Sequence, residues 1–193
     1  MAYIYLSISW IIFYTFHSYG ASDQLKAILQ KRNFSLNRWR LIYSILSVAG
    51  LIFILLQMAI MKDEVLWPPN RVIKLVSMIL VTYGLIIVRL AFKKSSIREF
   101  LAKEDRFEEG AQLNISGVYS MVRHPIYSGT ILLFVGMFLF IAKWGPLVAL
   151  LITLIYLVIA IPMEERKLVL KHGETYLDYK KQVPAIIPRL WRR

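Results

Sequence analysis

Five apolar runs punctuate the chain, each bounded by polar or helix-breaking residues. The first covers Ala2 to about Tyr19, is interrupted by Ser7, Ser9, Thr15 and His17, and ends at Gly20-Ala-Ser-Asp23. The second runs from about Leu41 to Met61, and the third from about Val72 to Phe92. The fourth begins at Pro125 and ends near Ala142, and the fifth extends from Pro146 to near Pro162. Runs of this length match the apolar layer of a bilayer when coiled as helices. The pattern predicts an all-α integral membrane protein with about five transmembrane helices. Residues 1–193 then form one membrane domain. Its first part, 1–92, holds three spans; its second, 93–193, holds spans four and five and a helical tail.

The polar stretches between the runs refine this picture. Gln24 to Lys31 reads as a short interfacial helix, because Leu25, Ile28 and Leu29 share a face. Lys62 to Asn70 holds two prolines and Trp67, which suits a turn with a headgroup-level anchor. Residues 93–124 form the longest polar segment, and Gly110 to Gly117 reads as an irregular linker. Lys143-Trp-Gly145 is a tight turn, so spans four and five form an antiparallel hairpin. After Pro162 the chain turns charged at Met163-Glu-Glu-Arg-Lys167, then reads as helix to Gln182. Leu168, Leu170, Tyr176, Leu177 and Tyr179 there can pack on the membrane domain or cover a site. Pro184, Pro188 and Trp191 mark an irregular tail. The first run lacks a basic segment before it, so it reads as an uncleaved span rather than a signal peptide.

Composition agrees with the bilayer as solvent. Of 193 residues 58% are hydrophobic, and mean hydropathy is +0.54. The formal net charge of +12 would suit a nucleic-acid binder, but the distribution of charge argues otherwise. Nineteen of the 24 Lys and Arg fall in the segments after spans one, three and five. The positive-inside rule then places the N-terminus outside and the C-terminus in the cytoplasm. Nucleic acid is not needed to explain the charge. The absence of cysteine excludes disulfides, thiolate metal sites and a cysteine nucleophile. His17, His124 and His172 lack metal-ligand spacing, so no metal site is expected.

The chemistry-bearing residues gather at one end of the hairpin. Pro125 at a first helical position suits its missing N–H, and the unpaired amides of that turn favour an anion. Arg123 and His124 stand immediately before it. The hairpin brings Glu164 and Glu165 alongside them, although about 40 residues intervene. A basic cluster facing two carboxylates suits a zwitterionic ligand. Equally, the four residues could be interface charges that only pair with one another. Tyr119, Tyr127, Tyr176 and Tyr179 can serve as interfacial anchors. Ser18, Ser128 and Thr130 read as packing residues, and His17 as a hydrogen-bonded residue at a helix end.

Three blocks of sequence carry a resemblance. Ser116-Gly-Val-Tyr-Ser-Met-Val-Arg-His-Pro-Ile-Tyr-Ser-Gly129, then Glu164-Glu165, then His172-Gly-Glu-Thr-Tyr-Leu-Asp-Tyr-Lys-Lys-Gln-Val-Pro184 occur in order across roughly residues 107–190. Together they resemble the integral-membrane methyltransferase superfamily. Its members include isoprenylcysteine carboxyl methyltransferases, phospholipid N-methyltransferases and bacterial methanethiol S-methyltransferases. Phe16-His-Ser-Tyr-Gly-Ala-Ser22 is similar to a segment after the first span in the thiol-methylating branch.

The resemblance implies S-adenosylmethionine as cofactor, taken from the cytosol and held between spans four and five and the tail. Carried over by position, Ala111, Gln112, Leu113, Asn114, Tyr119, Arg123, His124, Pro125, Ile126, Tyr127 and Glu165 would contact it. Glu165 would accept from ribose hydroxyls or offset cationic charge. If a general base is used, His124, Glu164 and His17 are the candidates, in that order. The acceptor would be a small or lipophilic thiol, carboxylate or lipid amine reached through the membrane. Ile161 stands where isoprenylcysteine enzymes carry an arginine assigned to substrate binding, which counts against a prenylated carboxylate. The chain is also shorter than the thiol methyltransferases of this group. Two other classes fit the same outline: an NADPH-dependent membrane reductase, and a non-catalytic membrane protein whose polar cluster is structural.

Overall fold

The computed structural model describes residues 1–93 and 113–189. Among them are seven α-helices and one short 3-10 turn, Gly117–Ser120. The helices are α1 (Ala2–Gly20), α2 (Asp23–Lys31), α3 (Leu36–Ile60), α4 (Arg71–Lys93), α5 (Pro125–Ile141), α6 (Trp144–His172) and α7 (Glu174–Gln182). The all-α reading holds among the described residues. The polar segment 94–112 and the terminus 190–193, including Trp191, lie outside them.

The helix starts follow local chemistry. Ser22 accepts from the Leu25 amide at 3.3 Å, Ser35 from Arg38 at 3.4 Å, and Asn70 from Ile73 at 2.9 Å. Each oxygen satisfies an amide that helix geometry leaves without an internal partner. The cap at Ser35 starts α3 at Leu36, five residues before the predicted apolar boundary, so Arg38 and Arg40 lie within that helix.

Among the described residues, three helices are long and apolar enough to cross a membrane: α3, α4 and α6. The first apolar run forms the full helix α1, diluted by the polar residues near its end. α5 is apolar throughout but has 17 residues. Many large apolar side chains on α1, α3, α4 and α6, such as Ile12, Phe53, Leu75 and Val158, point away from the protein. That arrangement suits a lipid environment rather than water.

One boundary differs from the sequence expectation. The fifth apolar run ends near Pro162, but the helix does not. α6 continues through Pro162 to His172 and stops at Gly173, whose φ of +53 is costly for residues with a Cβ. Proline removes one backbone hydrogen bond, yet its fixed φ is helical, and intact turns on both sides hold the segment. At 29 residues α6 is about 43 Å long, against an apolar core of about 30 Å. Its charged last third therefore stands beyond the spanning part.

Neighbouring helices run in the order α3, α1, α6, α5, α4. Leu6, Trp10, Ile54 and Ala149 form a buried centre between α1, α3 and α6, and Trp10 also meets Phe134 of α5 edge-on. α4 and α5 approach along a seam of small residues: Ser77 and Gly84 on one side, Gly129 and Gly136 on the other. A Cβ on Gly84 would lie 2.8 Å from the Gly129 carbonyl oxygen, and a Cβ on Gly129 equally close to that of Gly84. Close backbone approach of this kind is a main source of helix association in lipid.

The loop between α3 and α4 closes the end opposite the charged cluster. Asp63 accepts from the Gly145 amide at 2.9 Å, capping α6 from another part of the chain, and from Tyr3 at 3.0 Å. Leu66 donates to the Ala142 carbonyl at 2.7 Å. Ala142 adopts the left-handed conformation that turns α5 into α6. The predicted hairpin is thus present, with its turn at Ala142 and Lys143.

The seam gives a direct test. Gly84→Val should destabilise the protein by about 1–3 kcal/mol through overpacking. Gly50→Ala, where a Cβ would meet only Phe13 at 3.4 Å, should be near neutral. Thermal unfolding in detergent reads both; equal effects would remove the seam from the account.

Candidate functional site

Arg123 and His124 enter the site because α5 must start at Pro125. Beyond them, Ser128 is the first residue of α5 whose amide bonds back, to His124 O at 3.0 Å. The Arg123 and His124 amides precede the helix and are taken by the C-terminal tail. They donate to the carbonyls of Pro184 and Ala185, each at 2.9 Å. The Ser128 hydroxyl extends this pairing to the Ile186 carbonyl at 2.7 Å. Residues 183–186 are therefore strapped along the start of α5, although the chain between them crosses the bundle twice.

Side chains reinforce the strap. The Arg123 guanidinium donates to Glu165 Oε1 through Nε at 2.9 Å and Nη2 at 2.5 Å. It also donates to the carbonyls of Lys180, at 3.2 Å, and Val183. Lys180 Nζ donates to the other oxygen of Glu165 at 2.6 Å. His124 Nε2 lies 3.4 Å from Glu165 Oε1. Arg123 and Glu165 side chains are each 8% exposed and His124 is 3% exposed, so this is a buried ion cluster. Breaking such a pair costs far more than breaking a surface one.

Burial alone would raise the Glu165 carboxyl pKa. Lys180 and Arg123, with His124, outweigh it and hold that pKa down at about 2. Glu164, one residue earlier, has a different environment, because adjacent helix residues point about 100° apart. Its Oε2 lies 3.4 Å from His124 Nδ1. That oxygen is buried and makes no well-aligned hydrogen bond. Its carboxyl interacts with the Tyr127 hydroxyl, whose ring stacks on His124 at 5.4 Å between centroids.

Tyr176 and Tyr179 of α7, with Val183, form a second buried cluster that Leu113 packs against. The Tyr179 hydroxyl donates to the Tyr119 carbonyl at 2.6 Å. The Tyr176 hydroxyl is buried with no hydrogen-bond partner among the described residues. Asn114 Oδ1 accepts from Ser116 N and Oγ at 3.3 and 3.2 Å, shaping the turn before Gly117. A cavity of about 540 Å³ opens beside the cluster, lined by Pro162, Glu165, Arg166, Val169, Leu170 and Lys180.

The structure thus brings together Leu113, Tyr119, Arg123, His124, Pro125, Tyr127, Glu164 and Glu165. Ile126 follows Pro125 in the first turn of α5. Ala111 and Gln112 lie outside the described residues. His17 stands apart at the end of α1, its Nδ1 2.9 Å from the Tyr43 hydroxyl, which matches its reading as a hydrogen-bonded helix-end residue. Lys180 was missed by sequence reasoning, which had no means of telling it from the other basic residues of the tail. Its position four residues after Tyr176, on one face of α7, is the only signal it carries. The backbone acceptors at 183–186 carry no side-chain signal at all.

The Glu165 cluster predicts acid sensitivity. A carboxyl held below its unfolded value of 4.5 contributes stability above that pH, and the contribution is lost as pH falls towards 2. In thermal unfolding in detergent, wild type should exceed Glu165→Gln most above about pH 5, with the gap closing towards about pH 3. A gap independent of pH would contradict the assignment.

Known proteins place this geometry in context. A 75-residue stretch is 41% identical to a methanethiol S-methyltransferase of Crocosphaera subtropica, covering 39% of this chain and 29% of that protein. A methanethiol S-methyltransferase 2 of Bradyrhizobium diazoefficiens is 38% identical over 76 residues, with the same shares. A methanethiol S-methyltransferase of Pseudomonas deceptionensis is 37% identical over 82 residues, or 39% of this chain and 28% of that one. The match spans less than a third of each of these relatives. The resemblance to membrane methyltransferases read from the three sequence blocks is borne out by them. The profile of the family described as NnrU protein matches residues 5–186, nearly the whole chain, so the chain belongs to the NnrU protein family.

Proposed function

We propose that this chain is a membrane methyltransferase that uses S-adenosylmethionine and methylates a small or lipophilic acceptor. The observation that carries the reading is the ion cluster at one end of the helix hairpin, in which buried Arg123, His124 and Glu165 meet half-exposed Glu164 and Lys180. The partial likeness to methanethiol S-methyltransferases supports it.

The residues present suit the cofactor. A zwitterion with hydroxyls needs both charge signs and polar partners in a partly enclosed space. Here cations and carboxylates alternate beside a cavity of about 540 Å³, and the buried Tyr176 hydroxyl lies within reach of Arg123. Glu165, Lys180 and Tyr176 would hold the cofactor from α6 and α7. Leu113, Asn114, Tyr119, Arg123, His124, Pro125, Ile126 and Tyr127 would hold it from the other side, with Ala111 and Gln112 added by the sequence motif. S-adenosylmethionine supplies, when bound, a methyl group on a sulfonium that is open to in-line displacement.

The chain's own contribution is alignment and exclusion of water. The strap at 183–186 fixes the start of α5 against α6. Arg123 and Lys180 keep Glu165 ionised as an acceptor of hydrogen bonds. Glu164 and His124 are the groups placed to move a proton. The positive-inside charge pattern supports five spans, an outside N-terminus and a site facing the cytosol.

S-adenosylhomocysteine should stabilise the detergent-solubilised chain in thermal unfolding, while NADPH should not. Lys180→Met, which removes a half-exposed cation, should weaken S-adenosylhomocysteine binding about tenfold, the scale of one charge-assisted hydrogen bond. Stabilisation by NADPH alone would reassign the site to a reductase; stabilisation by neither would leave the cluster structural.

A further inference from the structure

The end of the bundle opposite the ion cluster holds a second cavity, of about 280 Å³. Met58 and Ala59 of α3 line it, with Met137 and Ile141 of α5 and, from the two loops at this end, Asp63 and Lys143. α3 and α5 both border it, yet α1 and α6 stand between them in the bundle, so helix packing does not close the gap. Met58 and Met137 back onto the buried centre of Leu6, Trp10, Ile54 and Ala149. Ala59 and Ile141 are exposed, so the cavity opens on the lipid-facing surface. Methionine walls adapt readily to the shape of an occupant.

The two charges are the informative part. Asp63 and Lys143 line one cavity with opposite signs, but among the described residues neither makes an ion pair. Neutral groups hold each in place. Asp63 accepts from the Tyr3 hydroxyl at 3.0 Å and the Gly145 amide at 2.9 Å, one donor per oxygen. Each oxygen therefore keeps acceptor capacity. Lys143 is fixed through its backbone, by a bridge to Val65, and its ammonium has no acceptor among the described residues. A carboxylate and an ammonium held apart in this way suit a ligand that carries both signs itself. Depth points to its source. Trp67, edge-on to Phe138 at 5.3 Å, and exposed Trp144 mark the headgroup level at this end, and the apolar walls lie along the spanning helices.

We propose that this cavity binds the headgroup of a zwitterionic phospholipid bearing a primary ammonium. Its phosphate would meet Lys143, its ammonium Asp63, and the start of one acyl chain would lie against Ala59, Met137 and Ile141. The volume accommodates a headgroup rather than a whole lipid, so the chains continue outside along α3 and α5. A primary ammonium can donate to the remaining lone pairs of Asp63, which a quaternary one cannot. An anionic lipid without an ammonium would bring a second negative charge to Asp63 with nothing to offset it. Pro146 at this end and Glu165 are about 29 Å apart along α6, so the site is separate from the ion cluster and does not depend on the methyltransferase reading. The bound lipid would join α3 to the α5–α6 turn.

The test uses the full chain in detergent with added dioleoylphosphatidylethanolamine or dioleoylphosphatidylcholine, which differ only in the ammonium. Native mass spectrometry reads lipid retention, and thermal unfolding reads stabilisation. Wild type should retain the ethanolamine lipid about tenfold more strongly and gain about 3 °C or more from it. Asp63→Asn should abolish that preference. Asp63 also caps α6, so two further variants leave the cap in place. Lys143→Met should weaken retention of both lipids about tenfold. Ala59→Phe, which fills the cavity from an exposed position, should remove stabilisation by either lipid while unfolding near the wild-type temperature in lipid-free detergent. Equal retention of the two lipids by wild type would overturn the proposal, as would stabilisation that survives unchanged in Lys143→Met or Ala59→Phe. A wild-type dimer that Ala59→Phe converts to monomer, with lipid retention unaltered, would assign the face to a second copy and also overturn it.

Discussion

A carboxylate on α6, Glu165, sits out of water with three cationic or titratable partners drawn from two other segments. Desolvating charges is expensive, and only close, multiple pairing repays it. Arg123 comes from the start of α5 and Lys180 from α7, so the arrangement exists only if α5, α6 and α7 meet at one level. The guanidinium uses its remaining donors on tail carbonyls, which binds residues 180–183 to the same point. One buried charge thus ties together the four pieces of chain that define the site.

The height of that meeting point is set elsewhere. The small-residue seam lets α4 and α5 approach until their backbones nearly touch, which leaves little freedom for α5 to slide or rotate. At the far end Asp63 caps α6 and holds Tyr3, so α6 is fixed at its beginning as well as at Glu165. With both ends of the hairpin tethered, the 29 residues of α6 carry the glutamates past the apolar layer to the level of Arg123. Adjacent positions on a helix face different neighbours. The Glu164-Glu165 pair therefore divides into a buried carboxylate held by Arg123 and Lys180 and a half-exposed one that faces His124 and Tyr127.

Membrane helices leave an unusual signature of this kind. Their lipid-facing surfaces are apolar and uniform, so polar groups that are buried inside stand out. Around α1 those groups are tyrosines and one histidine, bonded in pairs; around α7 they are charges. The contrast separates two chemical environments on either side of His124.

Much of the fold was legible along the chain because bilayer and helix impose simple one-dimensional rules. Apolar run lengths marked the helices, and a tight turn marked the hairpin. The neighbourhood of Arg123-His124 and Glu164-Glu165 followed from that hairpin, since antiparallel helices of similar length must align their ends. What the chain could not reveal was where α6 stops, because hydropathy falls at Pro162 while backbone hydrogen bonding continues to Gly173. It could not single out Lys180 among the tail's basic residues, or reveal that backbone carbonyls at 183–186 close the site. Nor could it say which glutamate is buried against Arg123. Those facts depend on contacts between residues far apart in sequence, and on a 100° turn between neighbours whose sequence context is nearly the same. Periodicity and composition are local, whereas charge satisfaction is a property of the packed protein.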